Sequence, residues 1–124
     1  MHRMDGDDWR AYPAAPKSGT VLCALDEIDD GSARVFSFGN GWPILEIVVV
    51  RQESAVRGYV NVCAHLPLPL NIGKRVRTAG QLLFCDHHYA AFRFNDGYCV
   101  EGACRGLSLT TVPLRIDDGR VLIA

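Results

Sequence analysis

The sequence has no excess of charge of either sign and no long hydrophobic run. It carries 13 Lys and Arg against 14 Asp and Glu, a net charge of −1, which argues against a nucleic-acid-binding protein because such proteins carry a basic surface. The longest apolar run, residues 44–50, is broken by Glu46 and followed by Arg51, so no membrane span is predicted. The first ten residues, MHRMDGDDWR, lack the apolar stretch of a secretory signal. We therefore expect a soluble, cytoplasmic protein.

Helical periodicity is also scarce, since no apolar pattern of helical period exceeds about two turns. Short runs rich in β-branched and aromatic residues recur instead, with Asp-Gly turn signals at 96–97 and 118–119. The fragment LDEIDDGS is the one candidate for a short, turn-like helix. Residues 1–18 are polar and contain two prolines, so we predict a flexible N-terminal arm there and one antiparallel all-β domain over residues 19–124. The predicted strands lie in TVLCAL, ARVFSF, PILEIVVV, VRGYVNV, QLLFC, AFRFNDGYCV and VPLRIDDGRVLI.

Cysteine and histidine are few, and they cluster. Five cysteines form an odd set, and with no secretory signal they do not indicate a disulfide framework. Of the four histidines, His2 lies in the predicted arm, and the other three lie beside Cys63 or Cys85. Both pairs follow a predicted strand, where a sheet usually carries its functional loops. This recurrence is the strongest functional signal in the sequence.

Three interpretations of the paired residues compete. The cysteines could be buried as small apolar residues that lie near histidines by chance. One Cys-His pair could be a nucleophile with its base, but such a site needs one pair rather than two. Two thiolates and two imidazoles also match a structural zinc site or a [2Fe-2S] centre with mixed ligands. Because each loop supplies one Cys and one His, the spacing favours two metals side by side.

The paired motif resembles the signature of Rieske iron–sulfur proteins, C-x-H followed by C-x-x-H. Here the two halves read CAH, at residues 63–65, and CDHH, at residues 85–88. Pro69-Leu70 follows the first half as in the family, and the segments AFRFNDG, YCVEGAC and LTTVPLRIDDGRVLI resemble the family's sequence after the second half. The resemblance covers about residues 20–124 and implies an antiparallel β sandwich with a cluster-binding subdomain formed by two loops.

The resemblance also implies the ligands of one [2Fe-2S] cluster per chain. Cys63 and Cys85 would ligate one iron, and His65 and His88 the other. His87 would then be a surface residue beside the cluster. Leu68 and His87 occupy the positions at which some relatives carry a pair of disulfide-forming cysteines. No loop disulfide is therefore expected. No serine follows His88, so one hydroxyl donor to the cluster sulfurs is also absent. Fewer donors stabilise the reduced cluster less, and we expect a potential toward the low end of the Rieske range of roughly −150 to +300 mV.

The implied function is that of a one-electron carrier rather than an enzyme, with no catalytic residues of its own. A reductase would be the donor, and an oxygenase or another redox enzyme the acceptor. The alternatives are a small subunit of an assimilatory nitrite reductase-like complex and a Cys2His2 structural zinc domain. Cys23 is expected in the core, and Cys99 and Cys104 as reduced structural residues or a redox-sensitive pair. The basic run Lys74–Arg77 is either a solvated loop or a docking patch for an acidic partner.

Overall fold

The structure is a computed structural model that describes residues 6–41, 44–64, 68–87 and 90–124. These residues form eleven strands and two 3₁₀ helices, which span Gly6–Ala11 and Leu25–Glu27. No α-helix occurs within the described ranges. The strands are β1 (Val21–Ala24), β2 (Ala33–Phe38), β3 (Leu45–Gln52), β4 (Ala55–Val60), β5 (Thr78–Ala79), β6 (Leu82–Phe84), β7 (Ala91–Arg93), β8 (Cys99–Glu101), β9 (Thr111–Val112), β10 (Leu114–Asp117) and β11 (Arg120–Ile123).

The strands form three antiparallel sheets. The first has the order β1-β11-β10, the second β2-β3-β4-β9, and the third β5-β6-β7-β8. The predicted all-β antiparallel architecture is therefore confirmed, as are both hairpins at the Asp-Gly signals. The fragment LDEIDDGS contains the predicted short helix, at Leu25–Glu27.

Strand β3 lies at the centre of the molecule because both of its faces are apolar. Its residues Ile47 to Val50 are each at most 1% exposed, and successive side chains point to opposite faces of a sheet. Ile47 and Val49 pack with the first sheet in one core cluster. Val48 and Val50 pack with the third sheet in the other. The second sheet therefore separates two cores, and the second of these also holds four cysteines.

The N-terminal segment contributes to the first core. Within the 3₁₀ helix Gly6–Ala11, Trp9 is 2% exposed, and the neighbouring Tyr12 is 7% exposed. Both belong to the cluster that contains Ile47 and Cys23. The division into a flexible arm and a domain remains a prediction, but two aromatic residues of the predicted arm are anchored in the core. This contact could not be predicted from the local sequence pattern, because the apolar residues that Trp9 and Tyr12 pack against lie on strands distant in the sequence.

Candidate metal centre

Two loops of the same length and the same closure carry the two cysteines. In the first loop, residues 63–68, the amide of Cys63 donates to the carbonyl of Leu68 at 2.7 Å. In the second loop, residues 85–90, the amide of Cys85 donates to the carbonyl of Ala90 at 2.8 Å. Each loop thus begins at a cysteine and is closed by a hydrogen bond to the residue five positions later. The two segments that carry the halves of the sequence motif are therefore closed by the same kind of hydrogen bond.

The loops follow strands of different sheets, and the second loop is hydrogen-bonded to the segment just after the first loop. The first follows β4 of the second sheet, and the second follows β6 of the third. The amide of Asp86 donates to the carbonyl of Leu70 at 2.8 Å. Cys63 is 3% exposed, Cys85 is fully buried, and both belong to the core cluster that contains Leu70. The fold therefore brings the two predicted thiolate ligands to one region beneath the loops.

Asn61 fixes the chain on the far side of the first loop. Its side chain is buried, and its Oδ1 accepts a hydrogen bond from the amide of Leu70 at 3.0 Å. Its Nδ2 donates to Glu46 Oε1 at 3.1 Å and to Asn71 Oδ1 at 2.8 Å. Asn61 is not among the site residues predicted from the motif. The available signal is a polar residue directly after an apolar strand and two positions before a predicted ligand cysteine.

Asp86 plays a similar part on the second loop. Its Oδ2 accepts from the amide of Ile72 at 3.0 Å, and its Oδ1 accepts from Arg77 Nε at 2.5 Å. Burial raises the pKa of Asp86, but the hydrogen bonds from Arg77 and Ile72 more than offset it, so the pKa lies below its ordinary value. The ionised carboxylate ties the predicted basic run to the second loop. Lys74 and Arg75 remain exposed.

A second group of cysteines lies next to the first loop. Cys104 Sγ is 3.3 Å from Cys63 Sγ, and Cys99 and Cys104 are both fully buried. The Cys99 thiol donates to the carbonyl of Glu101 at 3.1 Å. Burial raises the pKa of Cys99, so its thiol stays protonated at neutral pH. No disulfide joins any of the five cysteines, and Cys23 is buried in the other core as predicted.

The histidine assignments lie partly outside the structural description. His65 and His88 are not among the described residues, so their roles as ligands remain predictions. Within the described ranges, no three Cys, His, Asp or Glu side chains form a metal site, and the predicted centre needs both of these histidines. His87 is exposed, as expected for a residue beside the cluster. Two buried thiols on equivalent loops, each followed by a histidine, fit the Cys₂His₂ donor set of a [2Fe-2S] centre.

The family model of the Rieske [2Fe-2S] domain matches residues 18–113. The chain belongs to the Rieske [2Fe-2S] domain family. This membership assigns one [2Fe-2S] cluster to the chain and makes it an electron-transfer protein. No curated protein matches the chain. Among the described residues, no helix is long and apolar enough to cross a membrane.

Solved structures share the Rieske fold. The ferredoxin of carbazole 1,9a-dioxygenase from Nocardioides aromaticivorans IC177 is 20% identical, with a TM-score of 0.67, over 87% of this chain and 98% of that one. The Sphingomonas yanoikuyae B1 ferredoxin is 23% identical, with a TM-score of 0.63, over 85% and 96% of the two chains. A chain from a complex of reduced oxygenase and oxidized ferredoxin in carbazole 1,9a-dioxygenase is 20% identical, with a TM-score of 0.70, over 88% and 94%. At these identities the likeness establishes the fold.

Proposed function

We propose that this Rieske domain is a one-electron carrier that accepts electrons from a reductase and delivers them to an oxygenase. The observation that carries the proposal is the pair of equivalent loops, each headed by a buried cysteine and followed by a histidine. The oxygenase as acceptor is supported by the neighbouring structures, two of which are described as ferredoxins or ferredoxin complexes of carbazole 1,9a-dioxygenase. A bound [2Fe-2S] cluster supplies the one-electron chemistry.

In this proposal the two sides of the centre have different roles. Cys63 and Cys85, which are both buried, would hold one iron of the cluster. His65 and His88 would hold the other iron. Asn61 and Asp86 keep the loops in register through their hydrogen bonds to the segment Leu70–Ile72. The chain itself supplies no catalytic residue.

The surface beside the loops supports docking of a protein partner. Leu68, in the first loop, is 38% exposed, and Ile72, just beyond it, is 70% exposed. Lys74 and Arg75 follow on the same segment and are exposed. Apolar residues with cations beside them suit a partner surface that combines an apolar contact with carboxylates. This arrangement favours the docking interpretation of the basic run over that of a purely solvated loop.

The burial of the cysteines weighs against nucleophilic catalysis. A catalytic thiolate must reach its substrate, and reactive cysteines are partly exposed in electropositive surroundings. Cys63 and Cys85 are at most 3% exposed. We also assign the protein to the cytoplasm, because its five cysteines form no disulfide, as is usual in a reducing compartment.

Paired substitutions of the adjacent histidines test the ligand assignment. We expect His88→Ala to lose bound iron and the visible absorption, because one iron loses a ligand. His87→Ala is the control and should keep both, since His87 is exposed and belongs to no predicted ligand pair. Iron per chain and the EPR spectrum of the reduced protein provide the readout. The reverse pattern would exchange the two assignments, and unchanged iron in both variants would contradict histidine ligation by this loop.

A further inference from the structure

Three buried thiols lie together under the first loop, and two of them, Cys99 and Cys104, lie outside the predicted ligand set. Cys104 is fully buried, although it lies 41 positions from Cys63 in the sequence. Its sulfur is 3.3 Å from the sulfur of Cys63, within hydrogen-bonding distance for a thiol. The third thiol, Cys99, is also fully buried.

The backbone fixes Cys104 in this position. The amide of Leu107 donates to the carbonyl of Cys104 at 2.8 Å, and the amide of Cys99 donates to the carbonyl of Leu107 at 2.8 Å. The segment between Cys99 and Leu107 thus forms a compact turn against the third sheet. The approach of Cys104 to Cys63 is therefore set by main-chain hydrogen bonds and core packing.

The direction of the sulfur–sulfur hydrogen bond follows from the protons available. Cys99 directs its own thiol hydrogen to the carbonyl of Glu101 at 3.1 Å. A cysteine that ligates iron is a thiolate, so Cys63 in the loaded protein can accept a hydrogen bond but cannot donate one. The Cys104 thiol contacts the sulfur of Cys99 as well as that of Cys63. A thiolate is a stronger acceptor than a neutral thiol, so in the loaded protein the S–H group of Cys104 donates to the sulfur of Cys63.

We propose that Cys104 donates a hydrogen bond to the Cys63 ligand in the loaded protein and thereby raises the reduction potential of the cluster. This inference rests on the proposed function. Reduction adds one negative charge to the centre, and a donor to a ligand sulfur stabilises the more electron-rich state. Cys104 acts through Cys63 and is a positioning residue that tunes the centre.

The test compares three substitutions in the reconstituted, iron-loaded protein. Cys104→Ala and Cys104→Val remove the donor, and the valine keeps the apolar volume. Cys104→Ser retains a hydroxyl donor. Cys23→Ala is the matched control, because Cys23 is a buried thiol in the other core. Protein-film voltammetry at fixed pH gives the potential, and iron content and circular dichroism verify loading and folding in each variant.

We expect a lower potential in the alanine and valine variants, with the serine variant closer to the wild type and the Cys23 control unchanged. A packing role would lower the unfolding midpoint but leave the potential unchanged, and an unchanged potential in the variants that load overturns the inference. A potential of the serine variant that is as low as that of the alanine variant also overturns the inference. If the Cys104→Ala variant does not bind the cluster, the potentials of the valine and serine variants are compared instead. If neither the alanine nor the valine variant binds the cluster, while the serine variant binds it with an unchanged potential, the result supports Cys104 as a hydrogen-bond donor. A wild-type protein that binds zinc and no iron would contradict the proposed function, and this inference with it.

Discussion

At the scale of single residues, Tyr59 shows how the core beneath the site is held together. Its ring is buried between the second and third sheets, and its hydroxyl donates to the carbonyl of Phe94 at 2.6 Å. Burial raises the pKa of Tyr59 to about 12. The folded protein therefore favours the neutral hydroxyl of Tyr59, and this hydroxyl links strand β4 to the turn that follows β7.

This pKa makes stability depend on pH in the alkaline range. The tyrosine of the unfolded chain ionises near its ordinary pKa of about 10, while the folded one does not, so the unfolded state gains stability as pH rises from about 10 to 12. We expect the wild type to lose about 1.4 kcal/mol of unfolding free energy between pH 9 and 11 through this residue. Tyr59→Phe should remove that loss. Denaturant titrations of both proteins at the two pH values measure it, and parallel pH slopes would contradict the assignment.

Asn61 is a second residue whose contribution can be isolated. Asn61→Ala leaves the buried amide of Leu70 without its acceptor, and an unsatisfied buried group costs about 1–3 kcal/mol. We expect a loss of that size in unfolding free energy, together with faster iron loss from the loaded protein. The control is Asn95→Ala, which changes an exposed asparagine. Equal effects of the two substitutions, measured by denaturation and by iron release to a chelator, would contradict the role of Asn61.

At the scale of elements, two Asp-Gly turns close two hairpins in different surroundings. Gly97 and Gly119 both have φ of +73°, a left-handed conformation that favours glycine. A Cβ atom on Gly97 would lie 2.7 Å from Tyr59 Cε1, whereas one on Gly119 would have no neighbour within 4 Å. The first turn is packed against the core, and the second is open. The same sequence signal therefore has different energetic weight in the two hairpins.

The two glycines form a matched pair for mutation. Gly119→Ala should cost about 1–2 kcal/mol, which is the backbone cost of the left-handed conformation. Gly97→Ala should cost about 1–3 kcal/mol more, because its methyl group overpacks against Tyr59. Thermal or denaturant unfolding of the two variants gives the difference directly. A Gly97 variant that is no less stable than the Gly119 variant would show that the ring of Tyr59 moves aside at little cost.

The elements also show what the sequence could and could not predict. The long strands β3 and β4 and the hairpins β7-β8 and β10-β11 follow from β-branched runs and Asp-Gly turns, which are local signals. Strands β5 and β9 have two residues each, and β9 exists through its pairing with Gly58 and Tyr59 of β4. Such pairing depends on distant parts of the chain. The burial of Trp9 was missed for the same reason.

At the scale of the whole molecule, three sheets place two cysteine-headed loops above one of two cores. The presence of Cys63 and Cys85 in one core could be expected because both halves of the motif are local and specific, while their role as ligands remains a prediction. The contact between Cys104 and Cys63 could not, because 41 positions separate the two residues and only the packing of the third sheet brings them together. The hydrogen bonds that close the loops, and those that Asn61 and Asp86 accept from the segment after the first loop, could not be predicted from the sequence either.

We predict that these loops hold a [2Fe-2S] cluster with two cysteine and two histidine ligands. Absorption and low-temperature EPR spectra of the anaerobically purified wild-type protein, before and after dithionite, test it most directly. We predict a visible iron–sulfur spectrum and a reduced-state EPR signal whose average g value lies below that of an all-cysteine cluster. A colourless, EPR-silent protein that contains zinc would contradict the account.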